Sequence, residues 1–228
     1  MTRAQVLNVL VEAIQALSLN RPVRVGIDGR SGAGKTTLAD ELAERLRARG
    51  RTCLRASLDD FHPPGYAERL RQNGFTPAAY LKEAYDYAAF KRLVLEPLGP
   101  RGDRRCQLSL GSAEDPPLPE AWLDVAQDTV LLADGVFLLV PLLRAHWDFS
   151  IWLDVDWKIM LMRSPKRDPS WQGSQDPIRE GYRTGWIPRH LLYEESVRPY
   201  ELVDIVVDNS HLEHPYLVRV RPPARRVP

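Results

Sequence analysis

Residues 23–36 read VRVGIDGRSGAGKT: a short β-branched run closed by Gly29, then the pattern G-x-x-x-x-G-K-[ST] over Gly29–Thr36 without a gap. The run predicts a strand. KTTLADELAERLRAR (35–49) places Leu38, Leu42 and Leu46 on one face and is stopped by Gly50, so it predicts a helix. A strand, a glycine-rich turn and a helix in that order form a phosphate cradle. Its glycines let the backbone take positive φ, so that successive N–H groups turn inward as an anion nest at the positive end of the helix. Gly29, Ser31, Gly32, Ala33 and Gly34 supply that nest. Lys35 is expected to reach the β- and γ-phosphates of a nucleoside triphosphate, Thr36 to place its hydroxyl on Mg²⁺, and Thr37 to touch the α-phosphate.

Outward from the cradle, strands alternate with helices. Val6, Leu10, Ala13, Ile14 and Leu17 predict an amphipathic helix over 3–18, within a helical N-terminal extension spanning 1–20. RTCLRASL (51–58) predicts a strand and DDFHPPG a loop, since its prolines and glycine continue neither element. Helices follow at 76–83 and in DYAAFKRLVLEPL. The stretch 99–121 is an irregular excursion with one short strand at 105–110, read as part of a hairpin. Buried strands are expected at 129–135, 149–155 and 203–209, with helices at 157–164 and from Arg189 to about Val197. Residues 165–187 read as a polar segment without periodicity, and 219–228 as an unpacked tail. Strands apolar on both faces between helices imply one α/β domain over 1–228 with a parallel sheet.

Bulk properties narrow the partners. The 228 residues are 44% hydrophobic and 27% charged with a net charge of +1, so no whole-molecule field draws nucleic acid or a membrane surface. The longest apolar run, 129–143, is broken by Asp134, Gly135 and Pro141 and is too short for a bilayer. Cys53 and Cys106 make neither a thiolate metal site nor a disulfide framework, and a cytoplasmic protein is expected. His211 and His214 lack a third ligand for zinc. A homo-oligomer stays open.

GIDGRSGAGKTTLADEL followed by SLDDFHPP, YDYAAFKRLVLEPL, VLLADGVFLL, IWLDVDWKIMLMRSPKRD and VDIVVDN resembles, in that order and over nearly the whole chain, the uridine kinase and phosphoribulokinase family of P-loop small-molecule kinases. The resemblance implies a three-layer α/β/α P-loop NTPase with a mostly parallel five-stranded sheet, a small helical lid over about 163–187, and ATP or GTP as donor with Mg²⁺. It implies that Asp59 acts on the acceptor hydroxyl, with Asp60 as a structural or Mg²⁺-shell neighbour. The chemistry agrees, because a phosphoryl acceptor needs a carboxylate to orient its hydroxyl and take its proton. His62 stands on the acceptor side where the pattern usually has Tyr. Asp86 matches the acidic residue that holds the acceptor's sugar hydroxyls, although an Asp before AAFKRL is equally a helix N-cap. Asp134 takes the place of a Glu that holds Mg²⁺ through water. Arg163 and Arg167, with Lys166 between them, match the lid arginines that stabilise the transferring phosphoryl group, and Arg179 and Arg183 could join them.

The implied function is ATP-dependent, Mg²⁺-requiring transfer of the γ-phosphate to a hydroxyl of a small molecule, with a nucleoside as the leading acceptor. One departure bears on it. The family's base-binding Tyr and His have no counterpart in RRCQLSLGSAEDPPLPEAW (104–122). A pantothenate-like or sugar-phosphate acceptor, the latter served by Arg101, Arg104 and Arg105, and a non-catalytic regulatory nucleotide-binding protein are the alternatives.

Overall fold

The computed structural model describes all residues except 74–75, 111–121, 164–181 and 222–228. Its main sheet has the order β2 (Cys53–Ser57), β5 (Val130–Asp134), β1 (Val23–Gly29), β6 (Phe149–Asp154), β7 (Ile205–Asp208) and β8 (Tyr216–Val220). The first five strands are parallel and β8 runs antiparallel to β7. The excursion after residue 99 holds a separate antiparallel pair, β3 (Arg105–Gln107) and β4 (Trp122–Asp124), which is the expected hairpin.

β1 is the central strand and is buried along its whole length. Its period of two divides the core. Val23, Val25 and Ile27 face helices α1 (Arg3–Gln15) and α2 (Lys35–Ala48), packing with Leu10, Ile14, Leu38, Leu42 and Leu46. A Leu or Ile that is wholly buried here contributes about 1.5–3 kcal/mol over its exposed state. Helix α1 starts in a capping box: the Gln5 amide donates to Thr2 Oγ1 and the Thr2 amide to Gln5 Oε1.

The opposite face of β1 presents Arg24, Gly26 and Asp28. Arg24 is buried with its guanidinium on Asp148 and on the Leu95 carbonyl. Gly26 lies under Trp147, and a Cβ on it would come within 2.8 Å of that ring. The indole Nε1 of Trp147 donates to the Leu138 carbonyl at 2.8 Å. This second core gathers Phe61, Tyr80, Phe90, Trp147, Trp152 and Tyr193.

Several elements differ from the sequence-based expectation. The DDFHPPG loop opens with a 3₁₀ turn, Leu58–Phe61, and continues into helix α3 (Tyr66–Asn73). The segment from Asp86 is a short helix, α5 (Tyr87–Phe90), that widens into a π-turn over Lys91–Leu95; helix α4 (Pro77–Glu83) precedes it. Residues 219 and 220, expected in a tail, belong to β8. The Arg219 guanidinium donates to the carbonyls of Tyr200 and Val203, which anchors that edge strand. Residues 222–228 lie outside the described residues. Helix α6 (Trp157–Arg163) leads into the lid region, and a π-turn over Tyr182–Trp186 leaves it for helix α7 (Ile187–Val197). Among the described residues no helix is long and apolar enough to cross a membrane.

Candidate active site

In the parallel register Ile27 sits beside Asp134, and Asp134 beside Ser57, so three strands end together at the carboxyl edge of the sheet. That edge is where open α/β sheets hold ligands. Gly29 (φ 151°) and Gly34 (φ 92°) take backbone conformations that side chains avoid, and a Cβ on Gly29 would lie 2.2 Å from the Leu153 carbonyl oxygen. Gly34 also caps α2, which aims the positive end of that helix into the loop.

The loop is braced from outside. Arg30 turns away from it and forks onto both oxygens of Glu194 at 2.7 Å, meets Asp154 at 2.8 Å, and lies 4.0 Å over the Trp157 ring. The Ser31 amide donates to His190 Nε2 at 3.1 Å, and Asn209 Nδ2 donates to the Ala33 carbonyl at 2.8 Å. Because His190 accepts at Nε2, its proton sits on Nδ1 and the ring is neutral. Burial, joined by the charges of Lys35, Arg30 and Arg189, holds its pKa well below the ordinary histidine value. Lys35 Nζ folds over the loop onto the carbonyls of Gly29 and Arg30, both at 3.0 Å. Thr37 is exposed on the first turn of α2.

Asp28 ties the loop to its surroundings. Its Oδ1 accepts the amides of Gly29 (2.7 Å) and Phe137 (3.0 Å), and its Oδ2 accepts the Leu139 amide (3.2 Å) and the Tyr193 hydroxyl. Burial raises its pKa to about 6, with the Tyr193 hydroxyl, the backbone donors and Lys35 pulling the other way.

Thr36 Oγ1 donates to Asp134 Oδ2 at 2.7 Å, and Arg55 on β2 holds Asp134 Oδ1 at 2.8 Å. Arg55 is itself fixed by Asp40 and by the Leu132 carbonyl. A hydroxyl and a carboxylate oxygen side by side at the base of a phosphate nest suit Mg²⁺, a hard cation that takes one or two protein oxygens and completes its shell with phosphate and water. Among the described residues no group of three or more His, Cys, Asp or Glu side chains forms a metal cage.

Across from the loop, Asp59 lies on the 3₁₀ turn that Ser57 caps, its amide donating to Ser57 Oγ. The Tyr85 hydroxyl donates to Asp59 Oδ1 at 3.0 Å. Asp60 has a raised pKa from burial and from the neighbouring charges of Asp59 and Asp134. A cavity of about 180 Å³ brings Lys35, Thr36, Asp134 and Asp59 together, with Tyr85 and Trp186 as walls. His62 stacks between Tyr66 (4.1 Å) and Tyr85 (4.6 Å) and directs Nδ1 to the Ala84 carbonyl at 2.7 Å. Asp86 is an N-cap, accepting the Ala89 amide at 2.8 Å. It also lines a second, wider cavity of about 490 Å³ that shares Tyr85 with the first.

Arg163 stands apart. The Arg163 guanidinium donates to the carbonyls of Asn209 and Ser210 at 3.0 and 2.8 Å, next to the brace on Ala33 rather than in the cavity with Asp59. Lys166, Arg167 and Arg179 lie outside the described residues. Arg183 is exposed.

No protein-family model matches the chain. A uridine kinase from Geobacillus sp. is 27% identical over 200 residues, covering 85% of this chain and 89% of that protein. The structure of a possible uridine kinase from Bacillus stearothermophilus superposes with a TM-score of 0.66 at 20% identity, covering 89% of this chain and 97% of that one. D-glycerate 3-kinase from Cryptococcus neoformans has a TM-score of 0.57 at 14% identity, covering 94% and 97%. The fold and its phosphate loop define a three-layer α/β/α protein of P-loop kinase type. Within that class the chain is similar to the uridine kinases just named.

Proposed function

We propose that the chain transfers the terminal phosphoryl group of ATP or GTP, with Mg²⁺, to a hydroxyl of a small acceptor. The observation that carries this is the shared cavity, which Asp59 lines together with Lys35 and the Thr36–Asp134 pair. The acceptor oxygen forms a bond to the γ-phosphorus as the bond to the β,γ-bridging oxygen breaks. The acceptor's proton passes to Asp59 and the nucleoside diphosphate leaves. Gly32–Thr36 amides hold the β-phosphate, and Lys35 leaves its two carbonyls to follow the charge on the γ-phosphoryl oxygens. Thr36 and Asp134 would hold Mg²⁺, which neutralises phosphate charge when bound. Tyr85 fixes the Asp59 carboxylate so that one oxygen stays free for the acceptor. Arg163 and Arg167 are the arginines we expect to close over the phosphates; Arg163 has to leave its two carbonyls to do so.

A nucleoside is the acceptor that the curated relatives support, with His62 and Asp86 on its sugar side. The absence of a Tyr or His from residues 104–122 favours a second reading, a non-nucleoside hydroxy compound, and D-glycerate 3-kinase is a neighbour in fold whose name carries such an acceptor. An ADP-formation screen with Mg²⁺ over nucleosides, hydroxy acids and sugar phosphates tests the assignment. Turnover that depends on one acceptor supports it. Only slow, acceptor-independent hydrolysis across the panel would leave a regulatory nucleotide-binding protein as the better account.

A further inference from the structure

Two arginines among the described residues are buried, Arg24 and Arg189. Arg24 has Asp148, and the partly buried Arg30 and Arg55 have Glu194 and Asp154, and Asp134. Arg189 on α7 differs from these three. It is 9% exposed, its Nε is buried without a hydrogen-bond partner, and no ion pair joins it to another of the described residues. Its guanidinium carbon lies 3.9 Å from the centre of the Tyr80 ring and 5.4 Å from that of Trp186.

Those two rings belong to the acceptor end. Trp186 lines the cavity that holds Asp59, and Tyr80 packs edge-on against both Trp186 and Tyr85. Among the described residues, the titratable side chains that interact with the cation, Tyr66, Tyr80 and His190, offer it no negative charge. Burial keeps His190 neutral, and it raises the hydroxyls of Tyr66 and Tyr80 above their ordinary values. Stacking on aromatic faces attracts a guanidinium but leaves the donors on its edge unused. A buried charge without a counter-ion is strongly unfavourable, so such a group marks the place of a missing anion. The planar fork of arginine matches a carboxylate or phosphate with two parallel hydrogen bonds.

We propose that Arg189 is the anion-binding post of the acceptor site, so that the acceptor carries a carboxylate or phosphate besides the hydroxyl that receives the phosphoryl group. This rests on the phosphoryl-transfer reading above and narrows its substrate class to small anionic hydroxy compounds. Trp186 and Tyr85 take the apolar part of such a molecule, Asp59 its hydroxyl, and Arg189 its charge. A neutral nucleoside leaves the guanidinium unmatched.

The test fills the phosphate loop first, with Mg²⁺ and a saturating non-hydrolysable ATP analogue. Glycerol, glycerate and glycerol 3-phosphate are then titrated by calorimetry. At least one of the two anions should bind ten times or more tighter than glycerol in the wild type. Arg189→Gln should bring it to the level of glycerol, and Arg189→Lys should keep part of the preference. Equal binding of all three probes to the wild type overturns the proposal, as does an unchanged preference in Arg189→Gln. If Arg189→Gln instead weakens the ATP analogue tenfold but not ADP, the cation faces the donor's terminal phosphate and the acceptor assignment falls. Should Arg189→Gln fail to fold, the wild-type comparison and Arg189→Lys still decide. A wild type that does not bind the ATP analogue at all refutes the phosphoryl-transfer reading itself, before any probe is added.

Discussion

The two halves of the cavity are built by opposite means. The proposed donor half is one unbroken stretch, Gly29–Thr36, which would act through backbone amides and the side chains of Lys35 and Thr36. The proposed acceptor half is assembled from Asp59 and His62 on one segment, Tyr80 and Tyr85 on another, Trp186 at the end of the lid region and Arg189 just after it. A backbone-made site is set by conformation and changes little with its neighbours. A side-chain-made site is rewritten by each substitution, which is how one fold serves several acceptors.

That division can be attacked from either side. Asp59→Ala should have the largest effect, lowering kcat by about 10³-fold, within the range for loss of a proton-accepting group. Binding of the ATP analogue should stay at the wild-type level; wild-type turnover would remove Asp59 from the chemistry. Lys35→Ala should act on the donor half, weakening analogue binding or turnover by about 10²-fold, as for loss of one charge-stabilising donor. Unchanged kinetics in that variant would refute the cradle assignment.

The brace of the donor half gives a pH signature. The pKa of folded His190 is depressed, so its stabilising contribution is present above its unfolded value near 6.5 and is lost as pH falls. The slope from this one group is up to about 1.4 kcal/mol per pH unit. Asp28 acts in the other sense: raised from 3.8 to about 6, it contributes most at low pH and loses that contribution as pH rises through about 6. The quantity to measure is therefore the wild-type denaturation free energy minus that of His190→Gln, between pH 7.5 and 5 at about half-unit steps. It should shrink as pH falls, and a flat difference would mean that His190 already titrates normally in the folded chain. Tyr85→Phe should be the mildest change, a loss of about two- to tenfold in kcat/KM from one hydrogen bond to Asp59. An effect as large as that of Asp59→Ala would mean that Tyr85 orders the whole acceptor wall.

Much of the phosphate loop's conformation was legible in the sequence because its pattern is local. The strand, the glycines, Lys35 and Thr36 stand within fourteen residues. Asp59 and Asp134 were legible as carboxylates at strand ends, and Asp86 proved to be the N-cap that AAFKRL suggested. Asp28, Arg55, His190 and Tyr193 were missed, since each acquires its role from partners more than 70 residues away. One signal was available. A carboxylate inside a strand buried on both faces must have fixed donors, and Asp28 stood in such a run. On α7, Arg189, His190, Tyr193 and Glu194 recur at helical spacing on one face, a stripe whose meaning emerges only once the phosphate loop and the acceptor wall lie against it. The sixth strand was hidden by the prolines and arginines of 219–228, because an antiparallel edge strand with alternating exposure carries little hydrophobic signal.

Gly26 and Trp147 are locked in their order of change. With the indole in place, even a methyl group at position 26 meets ring carbons at 2.8 Å. A smaller residue at 147 has to come first, and until position 26 is then filled it leaves a void beside the central strand and the Leu138 carbonyl without its indole donor. Among descendants of this sequence, a side chain at 26 should therefore occur only together with a reduced residue at 147, and the reverse substitution alone should survive as a weakened intermediate.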